Sequence, residues 1–264
     1  MITQVRNSWR TIFMVAKMTL RQNVMDLFII FTVLVQPMLI AILALAMLRD
    51  KGQEYILFVV VGSGMTGIWS SLLFISGNSI NVERWSGTLE SLVGMPTSLS
   101  VIVFGKNLAN VGQSLLSMVV AYTLAVVIFD YDLTFNQPIL FIISLLLTII
   151  AFISFGLVIA PVFVMNPSVQ RWQNAMEFPI YILCGFLFPI AMLPQWTTPI
   201  SYLLTPYWAA RALHGTSAGN APLSQTLFAW GMMVFFSVIY FSIAARLFKF
   251  MLVKARTDAT LDME

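Results

Sequence analysis

An all-helical membrane protein is predicted for this 264-residue chain from three observations. Hydrophobic residues make up 59% of it and charged residues only 9%, against roughly 25% charged residues in a soluble domain. Uncharged runs of about 20 residues recur along the chain, and each is long enough as a helix to cross a bilayer. The single cysteine, Cys184, excludes an internal disulfide, and with the single histidine, His214, it cannot build a metal cluster. We therefore predict one transmembrane domain over residues 1–264.

Residues 1–26 precede the first apolar run and mix basic with aromatic and aliphatic residues. The basic ones are Arg6, Arg10, Lys17 and Arg21. Their helical spacing among apolar residues predicts an interfacial amphipathic helix in the headgroup plane, rather than a disordered basic tail. The apolar run that follows has no small-residue cleavage site, so we expect a membrane helix and not a removed signal peptide.

Six membrane spans are predicted from the uncharged runs. They cover residues 27–48, 55–80, 107–129, 139–165, 178–193 and 227–245. Pro37 predicts a kink in the first span and Pro161 a bend at the end of the fourth. The fifth span is short and contains Gly185 and Pro189. The proline-rich segment 194–226 is too apolar for water, so we predict that it re-enters the membrane as short helices shielded by other spans.

The distribution of lysine and arginine predicts the orientation. Four lie before the first span, two and one in the next two inner loops, and four after the last span, against three outside. The positive-inside rule therefore places both termini in the cytoplasm, and the loop with Asp130 and Asp132 outside the cell membrane.

The longest polar break in the first half of the chain is Glu83–Glu90, called here the polar segment. Ser86 has the side chain of a helix cap, Glu90 suits the first turn of a helix, and Pro96 ends the stretch. We predict a short cytoplasmic helix over 83–96. It is either a connector on the lipid surface or a docking element for a soluble partner. Its acidic residues favour docking, because the inner leaflet is itself anionic.

Motifs for nucleotide binding or catalysis are not predicted. The run 62–67 matches a dinucleotide-binding pattern, but it lies inside an uncharged span and is better explained by close helix packing. Gly105-Lys106 lacks the upstream glycine of a phosphate loop. The predicted spans contain no ionisable side chain, which argues against proton relays and hydrolysis. Mild polar residues such as Gln36 and Ser117 are expected to bond across helices or to line a path for an amphipathic substrate.

Two motifs resemble a known family. Glu83-x-x-x-Gly87-Thr88-Leu89-Glu90-x-Leu92 with Pro96 resembles the cytoplasmic loop of type-2 ABC exporter permeases. The run from Leu193-Pro194-x-Trp196 through Pro199–Leu204 to Pro206-Tyr207 resembles the same family's signature before its last span. With the six-span plan, the resemblance covers essentially the whole chain.

This resemblance implies a permease that pairs with a second permease copy and with separate ABC-type ATP-binding subunits, which would hold ATP and Mg. We expect no cofactor, metal or nucleic acid on this chain itself. The loop between spans two and three would be the coupling helix that contacts the ATPase. Its expected contact residues are Glu83, Gly87, Thr88, Leu89 and Glu90.

The resemblance also places a substrate path between spans two and five, in a dimer. The expected lining residues are Met65, Trp69, Phe186 and Phe188. At the outer end, Gly185, Pro189, Pro194 and Trp196 are predicted to form an exit gate, with a static lid as the alternative. The substrate is hydrophobic or amphipathic; a drug, peptide, lipid and lipid-linked glycan all fit. A non-transporting scaffold or assembly factor on the same fold is the alternative function.

Overall fold

The computed structural model describes residues 2–47, 53–95, 97–131, 133, 135–166, 168–219 and 221–257, and every regular element in these ranges is helical. The helices are α1 Ile2–Asn23, α2 Leu27–Met47, α3 Gln53–Ser70, α4 Ser79–Trp85, α5 Leu89–Val93, α6 Leu99–Val127, α7 Pro138–Val164, α8 Val169–Leu183, α9 Thr198–Tyr202, α10 Thr205–Ala218 and α11 Leu223–Thr257. Sequence features that lie outside the described residues are Leu48, Arg49, Lys51, Pro96 and Asp132.

Among the residues that the structure describes, five helical stretches are long and apolar enough to cross a membrane. They are Leu27–Met47, Tyr55–Trp85, Leu99–Val127, Pro138–Val164 and Leu223–Val253. They correspond to the first, second, third, fourth and sixth predicted spans, so the chain is a multi-pass membrane protein. The second stretch runs through α3, a π-helical turn and α4, and it becomes charged only at its end, at Glu83 and Arg84.

The fifth predicted span, residues 178–193, has different bounds in the structure. Helix α8 begins earlier, at Val169, and ends at Leu183. The predicted start was too late because Gln173 and Glu177 are polar in sequence yet buried in the fold. With 15 residues, α8 is about 22 Å long, short of the ~30 Å hydrocarbon core. A sixth crossing and the re-entrant segment after it therefore stay predictions.

The second stretch, Tyr55–Trp85, is the centre of the molecule. In its most apolar window 94% of the residues are buried, against 22% in the first and last stretches. Its glycines permit close approach: a Cβ on Gly62 would lie 1.9 Å from the Phe186 carbonyl oxygen, and one on Gly64 would lie 2.6 Å from the Met118 Cβ. The predicted packing role of the glycine-rich run is confirmed.

Within the described ranges, two π-helical turns interrupt the regular helices. The first, Phe31–Val35, directly precedes Gln36-Pro37, and the Gln36 amide donates to the Phe31 carbonyl. Pro37 has no amide hydrogen, and its ring would crowd the preceding turn of a regular helix, so the turn widens. At the place where the sequence predicts a kink, next to Pro37, the structure therefore has a π-helical turn. The second π turn, Ser71–Ser76, follows α3.

Helix α1 packs along α6. A Cβ on Gly105 of α6 would lie 2.9 Å from the Ile12 carbonyl oxygen, so the helices touch there. At the end of α1, the Asn23 Nδ2 donates to the Asn110 Oδ1 and to the Gln113 Oε1, both at 2.9 Å. The N-terminal helix is therefore present and joined to the bundle, while its position in the headgroup plane stays a prediction.

Candidate functional site

The polar segment joins α4 to α5 through a tight turn rather than forming one helix. Gly87 has a φ of +66°, and a Cβ there would meet no atom within 4 Å, so the backbone conformation and not the available space favours glycine. Ser86, expected to cap the following helix, ends α4 instead, and its Oγ donates to the Val82 carbonyl at 2.8 Å. The prediction of a single helix over 83–96 is wrong, since the left-handed residue divides it in two.

The Glu83 side chain forms hydrogen bonds and an ion pair with other residues of the same chain. Its carboxylate accepts hydrogen bonds from the Lys106 ammonium and the Thr88 hydroxyl. The Lys106 Nζ also donates to the Ser79 carbonyl at 3.2 Å. These contacts fasten the turn to the beginning of α6, and they leave Glu83 with its charge neutralised inside the molecule.

Of the other four residues predicted to contact the ATPase, one is buried and three are exposed. Leu89 is 5% exposed and packs into the main core. Gly87, Thr88 and Glu90 are exposed. Within the described part of the chain, no hydrogen bond or ion pair engages the Glu90 carboxylate. Of the five predicted contact residues, Glu83 and Leu89 therefore hold the turn in place, and the other three lie on its surface.

An exposed apolar and acidic patch surrounds this turn, called here the turn surface. Its largest side chain is Trp85, which is 67% exposed. The turn surface consists of Val82, Trp85, Gly87, Thr88, Glu90 and Met95. Aromatic and methionine side chains are enriched in protein interfaces, so these residues suit a docking surface. The turn that carries them is fastened to the bundle by buried Leu89 and by the Glu83–Lys106 pair.

A buried carboxylate cluster, which was not predicted, lies between α2, α3 and α8. Glu177 is 7% exposed, and its Oε1 accepts from the Gln36 Nε2 at 2.8 Å, the Ser70 Oγ at 3.1 Å and the Tyr181 hydroxyl at 2.9 Å. The Ser70 and Tyr181 hydroxyls also lie within hydrogen-bonding distance of each other, so they share their two hydrogens between this contact and Glu177. Together with the Gln36 amide, they allow a carboxyl group to be buried in an apolar bundle. Ser70 is the last residue before the second π turn.

The sequence contained a signal for this cluster. Gln173, Glu177 and Tyr181 recur at a spacing of four residues, which places them on one face of a helix. The Gln173 Nε2 donates to the Leu73 carbonyl at 2.9 Å, inside the second π turn. The expectation of spans without ionisable residues overlooked Glu177 because the predicted fifth span began one residue after it.

The predicted path residues do not share an open surface. Met65, Trp69 and Phe186 are fully buried, and Phe188 is partly buried. The Trp69 ring packs edge-on against Phe152, with the centroids 6.3 Å apart. In a single chain these three side chains belong to the packed core, and a path beside them stays a prediction.

The four predicted gate residues lie in the segment that follows α8, called here the outer segment, residues 184–202. Gly185 has a φ of +68° and directs the chain out of the helix. Pro189 and Pro194 each precede a short 3-10 turn, at Ile190–Met192 and Gln195–Thr197. Trp196 is 71% exposed.

Hydrogen bonding and close packing fasten this outer segment to the bundle. The Ser201 Oγ of α9 donates to the Leu183 carbonyl at 2.6 Å, which satisfies an end of α8. The Phe186 carbonyl lies against Gly62 of α3. The segment is thus joined to the two helices on either side of the buried carboxylate cluster.

The sequence of this chain is similar to those of known transporters. The family model described as ABC-2 type transporter matches residues 4–216, which include the polar segment, Glu177 and the outer segment. ABC transporter G family member 20 of Dictyostelium discoideum is 26% identical over 172 residues, covering 65% of this chain and 22% of that protein. The chain therefore spans about a fifth of the length of the curated relative that it matches.

Proposed function

The chain belongs to the ABC-2 type transporter family, and we propose that it is the membrane-spanning permease subunit of an ATP-driven exporter. A separate ABC-type subunit binds ATP and Mg and hydrolyses the nucleotide. Two permease copies enclose the path, and a homodimer is the simplest pairing. The cargo is hydrophobic or amphipathic, and the complex lies in the cell membrane with both termini of this chain in the cytoplasm.

The turn surface carries this proposal. An aromatic side chain as exposed as Trp85 beside an unpaired Glu90 suits a partner that offers an apolar pocket and a basic group. The turn is held from behind by Leu89 in the core and by the Glu83–Lys106 pair. A docking element transmits the movement of its partner to the rest of the protein only if it is itself held firmly in place.

Movement of the turn can reach the centre of the bundle through α4. Helix α4 continues from the second π turn, whose wider hydrogen-bonding pattern makes it the natural joint between α4 and α3. Ser70, just before this turn, bonds Glu177 of α8. In the proposal, movement of the docked ATPase reaches α3 and α8 through this junction and opens the path between two copies.

A charge series at Glu90 tests the proposal. We expect Glu90→Gln to weaken co-purification of the ATP-binding subunit moderately, and Glu90→Lys to weaken it about tenfold and abolish transport, because reversing a charge adds repulsion. Trp85→Ala should weaken docking through its apolar contact. Pull-down from detergent extracts and transport into inverted vesicles measure both effects.

The control is Glu83→Gln, in which the altered side chain faces Lys106 and not a partner. It should lower thermal stability only slightly, because the ion pair is partly exposed, and its effect on docking should not follow that of the Glu90 variants. Wild-type docking and transport in Glu90→Lys would contradict the docking role. A permease pair that purifies without any ATP-binding subunit would favour the scaffold or assembly factor.

A further inference from the structure

A groove of about 530 Å³ opens between α1 and α6, beside the place where the two helices touch. This volume lies within the range of sites that hold a small ligand. Its lining includes Phe13, Lys17 and Leu20 of α1 and Leu108, Gly112 and Gln113 of α6. Apart from Lys17 and Gln113, every lining side chain is apolar or absent.

Two glycines one heptad apart set the width of the gap between these helices. At Gly105 the helices are in contact, since a Cβ there would come within 2.9 Å of the Ile12 carbonyl oxygen. At Gly112, on nearly the same side of α6, a Cβ would meet no atom within 4 Å. The missing side chain leaves the floor of the groove open. Apolar walls around an unfilled gap lose contact energy, so in a bilayer lipid is the available material to fill it.

The rim of the groove is cationic. Arg10, Lys17 and Arg21 are all exposed, and their spacing of seven and four residues places them along one face of α1. Lys17 is the member of this stripe that also lines the groove. A long lysine side chain can follow an apolar wall while its ammonium group stays at the headgroup level. An apolar slot with a positive edge matches a phospholipid with an anionic headgroup.

We propose that this groove binds one anionic phospholipid, whose phosphate pairs with Lys17 and whose acyl chain lies over Gly112 between α1 and α6. The inference rests on the proposed interfacial position of α1, and not on any transported substrate. The bound lipid would brace α1 against α6 close to the second π turn, because the Asn110 Nδ2 of α6 donates to the Ser76 Oγ at 3.2 Å.

Native mass spectrometry of the detergent-purified chain, titrated with phosphatidylglycerol or phosphatidylcholine, tests the site directly. We expect the wild type to bind one phosphatidylglycerol more tightly than phosphatidylcholine. Lys17→Gln should lower the affinity for phosphatidylglycerol about fivefold, since a lysine near the surface contributes about that factor. It should lower the affinity for phosphatidylcholine less, because the choline cation of that lipid offsets the charge of its phosphate. Gly112→Leu should lower the affinity for both lipids, because its side chain occupies the floor.

Matched controls are available on the same chain. Lys249→Gln removes an exposed lysine from α11, outside both the groove lining and the cationic stripe of α1. Gly231→Leu adds the same side chain to an exposed position of α11, where a Cβ also meets no atom within 4 Å. Both controls should change lipid affinity less than twofold. Lys17 is exposed, so its variant remains informative even if Gly112→Leu fails to fold.

Equal affinity for the two lipids, or unchanged binding in Lys17→Gln or in Gly112→Leu, would overturn the proposal. Gly112→Leu that separates two copies of the chain without releasing lipid would also overturn it, and would assign the groove to a subunit contact. The measurement needs no ATP and no transport. If the wild-type protein binds phosphatidylglycerol as expected but transports nothing, the result would therefore count against the proposed function and not against the lipid site.

Discussion

Glu83 and Glu90 show how much one residue's surroundings decide its role. Both are acidic residues of the same polar segment, and sequence alone assigns them the same contact with a partner. In the structure Glu83 pairs with Lys106, while Glu90 is exposed. Partly exposed ion pairs contribute little to stability, about 0–1 kcal/mol, so the Glu83 pair serves mainly to position the turn. Glu90 is the acid left available for recognition.

Glu177 is expected to contribute strongly to the stability of the bundle. Glu177→Ala would remove the acceptor of the Gln36 amide and leave the Ser70 and Tyr181 hydroxyls only the hydrogen bond between themselves. Each buried donor left unsatisfied costs about 1–3 kcal/mol. We expect a markedly lower melting temperature in detergent and loss of transport. Glu177→Gln keeps an acceptor oxygen and should be milder.

The control for this experiment is Glu90→Ala, which removes an exposed carboxylate and should leave the melting temperature unchanged. Thermal unfolding followed by tryptophan fluorescence measures all three variants. A Glu177→Ala protein as stable as the wild type would show that the cluster contributes nothing to the packing of α2, α3 and α8.

At the scale of elements, the outer segment is a chain of short turns joined to two helices. Its left-handed residue, Gly185, is the sharpest joint, and a Cβ there would lie 2.9 Å from the Ile190 Cγ1. A non-glycine residue in this conformation costs about 1–2 kcal/mol. A moving gate and a static lid both fit this construction, and they differ in their response to bulk at the joint.

We expect Gly185→Leu to slow export while membrane insertion and ATPase binding stay normal, because the strain falls on the joint and not on the turn surface. Gly219→Leu is a matched control: Gly219 has a φ of +71° and a neighbouring atom within 3 Å, but lies at the end of α10. Export assays on both variants show whether backbone strain at Gly185 slows export more than similar strain at Gly219, which lies outside the predicted gate. Wild-type export from inserted Gly185→Leu would favour a static lid, and equal losses in both variants would show a general effect of strain.

At the scale of the whole molecule, the distribution of basic residues predicts both termini in the cytoplasm. A cysteine at exposed Asn136 should then react with an impermeant thiol reagent added to intact cells, and one at exposed Ser98 only after permeabilisation. The native Cys184 is 1% exposed and provides little background. The reverse labelling pattern would invert the topology, and reaction of both sites from outside would contradict the assignment of spans.

Properties that depend on local composition could be predicted from the sequence alone. The all-helical membrane class, five of the stretches able to cross a bilayer, the packing of the glycine-rich run and the position of the polar segment all follow from windows of about 20 residues or fewer. A helix in lipid must satisfy its backbone within itself, so each apolar run determines its own secondary structure before it meets any neighbour.

Only the tertiary structure decided which polar residues find partners. Gln36 and Glu177 bond across 141 positions of sequence, and this contact moves Glu177 from a predicted boundary into the interior. Tertiary contacts also decide that Glu83 pairs with Lys106 and that Met65 is buried in the core. The cost of burying a charged or polar group depends on the donors that other helices bring to it, and no local window of sequence contains that information.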